Sequence, residues 1–221
     1  MKSLSTKKLS ILFVMCLAVS FVLTGCAPKF DASGYIKACL DANTKGEFEA
    51  YAEITGSTVE EVEALYNQTI DTELSYIAAY SVSDEKKEEF RQLFIDIYKN
   101  FKYEVGEATL NDDKSYTVPV TTYKLMIFDG MVADAETHLL EYAQAEVDAG
   151  RTPSQTQLEE EAMNFMYDTM KKNLEALTYG DPVTTEIVIS PSKSGSQTIY
   201  SANQSDLQNI ITSLVDAENA Q

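Results

Sequence analysis

The spacing of apolar residues along this chain changes period twice. Over residues 33–45 apolar positions recur at helical spacing and stop at Gly46, and a shorter helical piece over 47–54 stops at Gly56. Ser57-Thr58-Val59-Glu60 has the spacing of a capping box. It opens a long helix whose apolar face is Val59, Val62, Tyr66, Ile70, Leu74 and Ile77. Ser83, followed by two acids, caps a further helix, where Phe90, Leu93, Phe94, Ile97 and Phe101 form the clearest stripe. The period then falls to two. Residues 102–110 and 115–128 are rich in Tyr, Val and Thr, with Asn111-Asp112-Asp113-Lys114 as the turn of an antiparallel hairpin. Gly106 marks a bulge, and Pro119 an edge position or a break in the ladder.

Helical spacing returns over residues 131–149, ending at Gly150, and again from Pro153 to Tyr179. The second of these carries the face Leu158, Ala162, Met166, Met170, Leu174 and Leu177. Residues 183–190 alternate, with Val183, Thr185, Ile187 and Ile189 on one side, and after a turn at 192–196 a short strand returns over 197–201. A last helix, capped by Asn203 or Ser205, buries Leu207, Ile210, Ile211 and Leu214, and the tail from Asp216 is expected to fray. Helices first, then two hairpins split by a two-helix insertion, predict one layered α+β domain over residues 32–221.

The start of the chain obeys neither period. Lys2, Lys7 and Lys8 precede an apolar run, 11–23, that is shorter than the ~20 residues a membrane span needs. It ends in Leu23-Thr24-Gly25-Cys26, which resembles the lipobox of bacterial lipoproteins, with Thr24 where Ser or Ala is commoner. The resemblance implies a signal peptide over 1–25, a diacylglycerol thioether on Cys26, a short tether over 26–31 and export. The domain is then anchored to the outer face of the cell membrane by lipid.

Charge sharpens this picture. The chain of 221 residues carries 17 Lys+Arg against 35 Asp+Glu, a net −18. Loss of residues 1–25 removes three lysines and no acids, so the exported part stands at −21. Nucleic acid is excluded as a partner, since phosphate binding needs clustered cations. An anionic membrane repels such a domain, so the acyl chains must do the anchoring. His138, the single histidine, excludes a multi-histidine metal site, and no metal or cofactor is expected. Of three cysteines, Cys16 leaves with the signal and Cys26 carries lipid. Cys39 then has no partner for an intramolecular disulfide, and its apolar neighbours mark it as a core residue rather than a nucleophile.

Tyr35-Ile36-Lys37-Ala38-Cys39-Leu40-Asp41-Ala42, Lys45-Gly46-Glu47-Phe48, Tyr51 and Ile54-Thr55-Gly56-Ser57 together resemble a family of uncharacterised Gram-positive (Firmicutes) lipoproteins with a cystatin-like or NTF2-like domain. Phe101-Lys102-Tyr103-Glu104-Val105-Gly106-Glu107-Ala108 resembles their first strand. The resemblance implies a curved antiparallel sheet packed on N-terminal helices, and no established activity.

Chemistry is sparse. There is no Gly-rich phosphate loop, Gly-x-Ser-x-Gly elbow, His-Glu-x-x-His helix or CxxC pair. Asn111-Asp112-Asp113 lacks the spaced ligands of a calcium loop and reads as a satisfied turn. His138 is an acid–base candidate, or else a boundary histidine bonded locally. Glu159, Glu160 and Glu161, with Glu141 and Glu146, either gather at one end of the insertion or form solvated helix faces. Met163, Phe165, Met166, Tyr167 and Met170 either line an adaptable apolar ligand pocket or fill the core. These features favour a non-catalytic, membrane-anchored domain that binds a small molecule, a peptide or an envelope protein. The alternatives are a pocket hydrolase or isomerase of NTF2-like fold, and a structural subunit of an envelope complex.

Overall fold

A computed structural model describes residues 21–23, 30–78, 80, 82–194 and 197–216. Cys26, most of the expected signal segment and the last five residues lie outside it. The described elements are β1 (Phe21–Leu23), α1 (Ala32–Thr44), α2 (Glu49–Thr55), α3 (Val59–Ile77), α4 (Asp84–Lys99), β2 (Lys102–Val105) and β3 (Thr109–Leu110). They continue with β4 (Tyr116–Leu125), α5 (Met131–Asp148), α6 (Gln155–Ala176), β5 (Tyr179–Ser194), β6 (Gln197–Ala202) and α7 (Gln204–Ser213). The fold is α+β: a curled antiparallel sheet, ordered β1-β6-β5-β4-β2 with β3 also on β4, packed with helices.

Alternation explains the sheet. Tyr116, Val118, Val120 and Thr122 of β4 and Ile187 and Ile189 of β5 are buried on one face, where α1 and α7 cover them. Val183 shares that face opposite Thr122, but α7 ends there, its Ser213 hydroxyl 2.7 Å from that of Thr122, and Val183 stays exposed. Gly106 interrupts the ladder between β2 and β3. Its amide donates to Pro119 O at 2.8 Å, and a Cβ there would sit 2.8 Å from Pro119 Cγ, so the break needs glycine.

Several boundaries differ from the sequence expectation, among them the end of β5, which runs to Ser194 through part of the turn expected at 192–196. The capping box of α3 is Thr58 with Glu61, one residue later than expected, with Ser57 instead within hydrogen-bond distance of Thr55 Oγ1. The second insertion helix takes Ser154 as N-cap, with Gln157 completing the box, so Pro153 lies outside it. That helix also ends early, Leu177 adopting φ 44°, and Tyr179 opens β5. The largest correction is Asp216. It is fully buried rather than fraying: its carboxylate accepts from the amides of Ile127 (2.8 Å) and Phe128 (3.0 Å).

Candidate functional site

The two-helix insertion is the feature that sets this domain apart from a plain sheet on helices. Its base is pinned by Asn173, whose amide donates to Ile127 O (3.0 Å) and Asp129 O (2.9 Å). The helices divide the work. α6 turns Met163, Met166 and Met170 into the core, and sets half-buried Tyr167 edge-on to Phe90 at 5.3 Å. Phe165 points elsewhere, toward α5, where it stacks on His138 at 4.6 Å between ring centres. Of the five candidate pocket residues, three are therefore together in the core, Tyr167 borders it, and Phe165 lies in the seam between the insertion helices.

His138 is engaged in the same seam. Its Nε2 lies 2.7 Å from Glu161 Oε1, so ring stacking and a charge-assisted contact zip α5 to α6 at mid-length. The acids of the insertion do not gather. Glu161 is held by His138, while Glu146 takes a two-pronged contact from Arg151, both oxygens at 2.6 Å. That contact holds the Glu146 carboxyl below the usual range. Among the described residues no three acids, histidines or cysteines converge on a metal-sized point.

A cleft of about 270 Å³ opens beside the seam of α4 and α6, lined by Val82, Ser83, Lys86, Glu160 and Asn164. Lys86 Nζ sits 4.4 Å from the Tyr167 ring centre, so the cation at this cleft is already seated on an aromatic face. The Ser83 hydroxyl accepts from Lys86 N as the α4 cap. The cleft brings together one hydroxyl, one acid, one cation and an amide, groups that can bind a polar ligand.

Cys39 is buried, and burial pushes its thiol up to about 12, with an opposing contact from Asn43. A thiol so placed is unionised at neutral pH and shielded from reagents. The more organised polar centre is next to it and was not apparent in the sequence. Buried Asp41 accepts from Lys37, from Lys45 (2.9 Å) and from the Tyr103 hydroxyl (2.5 Å). Burial alone would raise this carboxyl, but the bonds from Lys37, Tyr103 and Lys45 outweigh it and hold it below its ordinary value. Lys45 also lies over the Tyr103 ring at 4.7 Å. The network joins α1 to β2 and leaves Asp41 fully committed to the fold.

Within the described residues no helix is long and apolar enough to cross a membrane. No protein-family profile matches the chain. Its sequence matches no curated protein. Among solved structures the fold is similar to the crystal structure of YcdA from Bacillus subtilis subsp. subtilis str. 168, a protein designated a lipoprotein. The match has a TM-score of 0.57 and 14% sequence identity, and takes in 84% of this chain. The chain spans 56% of that protein, and the likeness is one of fold.

Proposed function

We propose that this protein is a lipid-anchored extracytoplasmic binding module, held by acylated Cys26 and presenting its helical insertion to an envelope protein or peptide. One observation carries the binding reading. The two most exposed large apolar side chains among the described residues, Leu140 at 65% and Val147 at 56%, both lie on α5. They stand seven residues apart and so share one face, while α5 packs on α6 with another. An apolar pair kept in water on a helix braced from behind fits the helix-in-groove mode of recognition. The anchoring half is supported by the Lys-rich start, the apolar run and Leu23-Thr24-Gly25-Cys26, and by the fold shared with a protein designated a lipoprotein. The proposed role is non-catalytic, supported by the burial of Cys39 and by the seating of His138 between Glu161 and Phe165.

The test uses the full chain in its native membrane. A photo-crosslinker at Gln144, between the two apolar residues, is expected to give a discrete adduct that Leu140→Glu with Val147→Glu abolishes. Cys26→Ala should release the protein from the membrane. An adduct pattern indifferent to the double substitution would refute the helix face, and a Cys26→Ala protein still firmly bound after signal cleavage would refute the anchor.

A further inference from the structure

Phe30 is where the folded core begins after Cys26. It is buried, stacks on Tyr200 of β6 at 4.5 Å with the rings 4° from parallel, and meets Tyr116 edge-on at 5.6 Å. Four peptide units separate it from Cys26, so the lipid-bearing Cα lies within about 14 Å of that of Phe30. β1 shows the same line of approach, since Phe21–Leu23 pairs antiparallel with Thr198–Tyr200 of β6. The chain therefore enters the domain beside β6.

The charge pattern singles out the same place. Between Glu186 and Asp206 the sequence contains no acid and one lysine, Lys193. That stretch is the second half of β5 and all of β6, in a chain whose exported part stands at −21. Ser192, Lys193 and Ser201 are exposed on it. Topology puts the insertion at the other end of the sheet. Leu125 pairs with Tyr179, the first residue of β5, and Ile189 follows ten residues later, about 33 Å along an extended strand.

We infer that the mature domain stands on the anionic outer-leaflet headgroups with its β5–β6 hairpin against them, the β6 edge nearest the bilayer and the α5–α6 insertion directed away. This rests on the acylation of Cys26 proposed above. A strongly acidic body tethered to an anionic surface is favoured with an acid-poor side toward it, because its acid-bearing helices are then held away from the headgroup field. Lys193 adds attraction on that side, and a tether of at most about 14 Å keeps the Phe30 end of the domain close to the bilayer. Removal of Phe21–Leu23 with the signal also uncovers the outer backbone groups of β6, which headgroup phosphates and interfacial water then meet.

The experiment uses the full-length lipoprotein, purified in detergent and reconstituted into vesicles of phosphatidylglycerol and phosphatidylcholine. An environment-sensitive fluorophore is placed at Ser192→Cys, Ser201→Cys or Gln144→Cys, and a lipid bearing a headgroup nitroxide acts as quencher. Quenching at 192 and 201 is expected to exceed that at 144 by about threefold or more. Equal quenching at the three sites, or stronger quenching at 144, overturns the inference. So does a label at 201 that is unquenched on vesicles yet shielded in native membranes, which would assign the β6 edge to a protein strand. Mass spectrometry of the Cys26 peptide separates the two readings. An unacylated Cys26 overturns both, whereas an acylated Cys26 with the wrong quenching order overturns the orientation alone.

Discussion

Replacing Asp216 by alanine is expected to destabilise the domain by about 3–5 kcal/mol, since two amides bond to a carboxylate and each such bond contributes roughly 1.5–3 kcal/mol, less than additively. The side chain is fully buried and bonds Ile127 N at 2.8 Å and Phe128 N at 3.0 Å, just past the end of β4. Its own amide donates to Leu125 O, and Leu125 N donates to Leu214 O, so the last described residues clasp the strand from which the insertion departs. Alanine removes the acceptor and leaves two buried N–H groups unpaired. For a domain of this size the loss corresponds to a fall in Tm of about 10 °C. Asp216→Asn keeps one acceptor oxygen and should cost about half as much. Guanidinium unfolding of the detergent-solubilised protein measures both, with far-UV circular dichroism and tyrosine fluorescence as probes; the chain has thirteen Tyr and no Trp. An alanine variant within about 1 kcal/mol of the parent, with an unchanged denaturant slope, would refute the clasp.

Cys39 should not react with an aromatic disulfide reagent at pH 8 in the folded protein, its thiol being buried and pushed up to about 12, and should react once unfolded. Prompt labelling under native conditions would show that the first helix opens locally. Tyr103→Phe removes one donor from Asp41 and should cost about 1.5–3 kcal/mol at pH 7. Because the folded carboxyl is lowered, its stabilising share is present above the unfolded value near 3.9 and is lost as pH falls through the folded one. The difference between Tyr103→Phe and parent should therefore shrink below about pH 4 in urea unfolding, and a difference constant from pH 7 to pH 3 would count against the network.

What was legible in the sequence was whatever a single element decides for itself. The stripe from Phe90 to Phe101, the Ser83 cap and the break at Gly106 with Pro119 all stand in the structure, because spacing and turn chemistry specify them within a few residues. Residues whose role depends on a distant partner were not legible. Asp216 meets amides 88 and 89 residues away, and Asp41 meets Tyr103 at a separation of 62. Neither acid differs locally from a solvated one. The candidate site divides in the same way. The spacing of Met163, Met166 and Met170 fits a core face as well as a pocket wall, since both require one apolar side of a helix. His138 and Glu161 meet across the turn of the insertion, and the register of two antiparallel helices is set by their packing rather than by either pattern alone.

The insertion interrupts a connection that the sheet would otherwise make directly. β4 and β5 are neighbours, paired from Tyr116 with Ile189 down to Leu125 with Tyr179, and Met126 N still donates to Thr178 O at 3.0 Å. The chain thus leaves and returns at one point, where Asn173 and Asp216 take up backbone groups that a tight turn would have paired. The two inserted helices are nevertheless unequal. α6 seats three methionines in the core and sets Tyr167 against Phe90, so the core of the domain is incomplete without it. α5 contributes only Met131, at its first turn, to the buried set among the described residues. Substitutions on the outer face of α5 therefore leave the core intact, whereas truncating Met163, Met166 or Met170 of α6 opens a cavity. A binding surface placed on α5 can change without cost to the fold, and that freedom is the physical reason to look for the partner there.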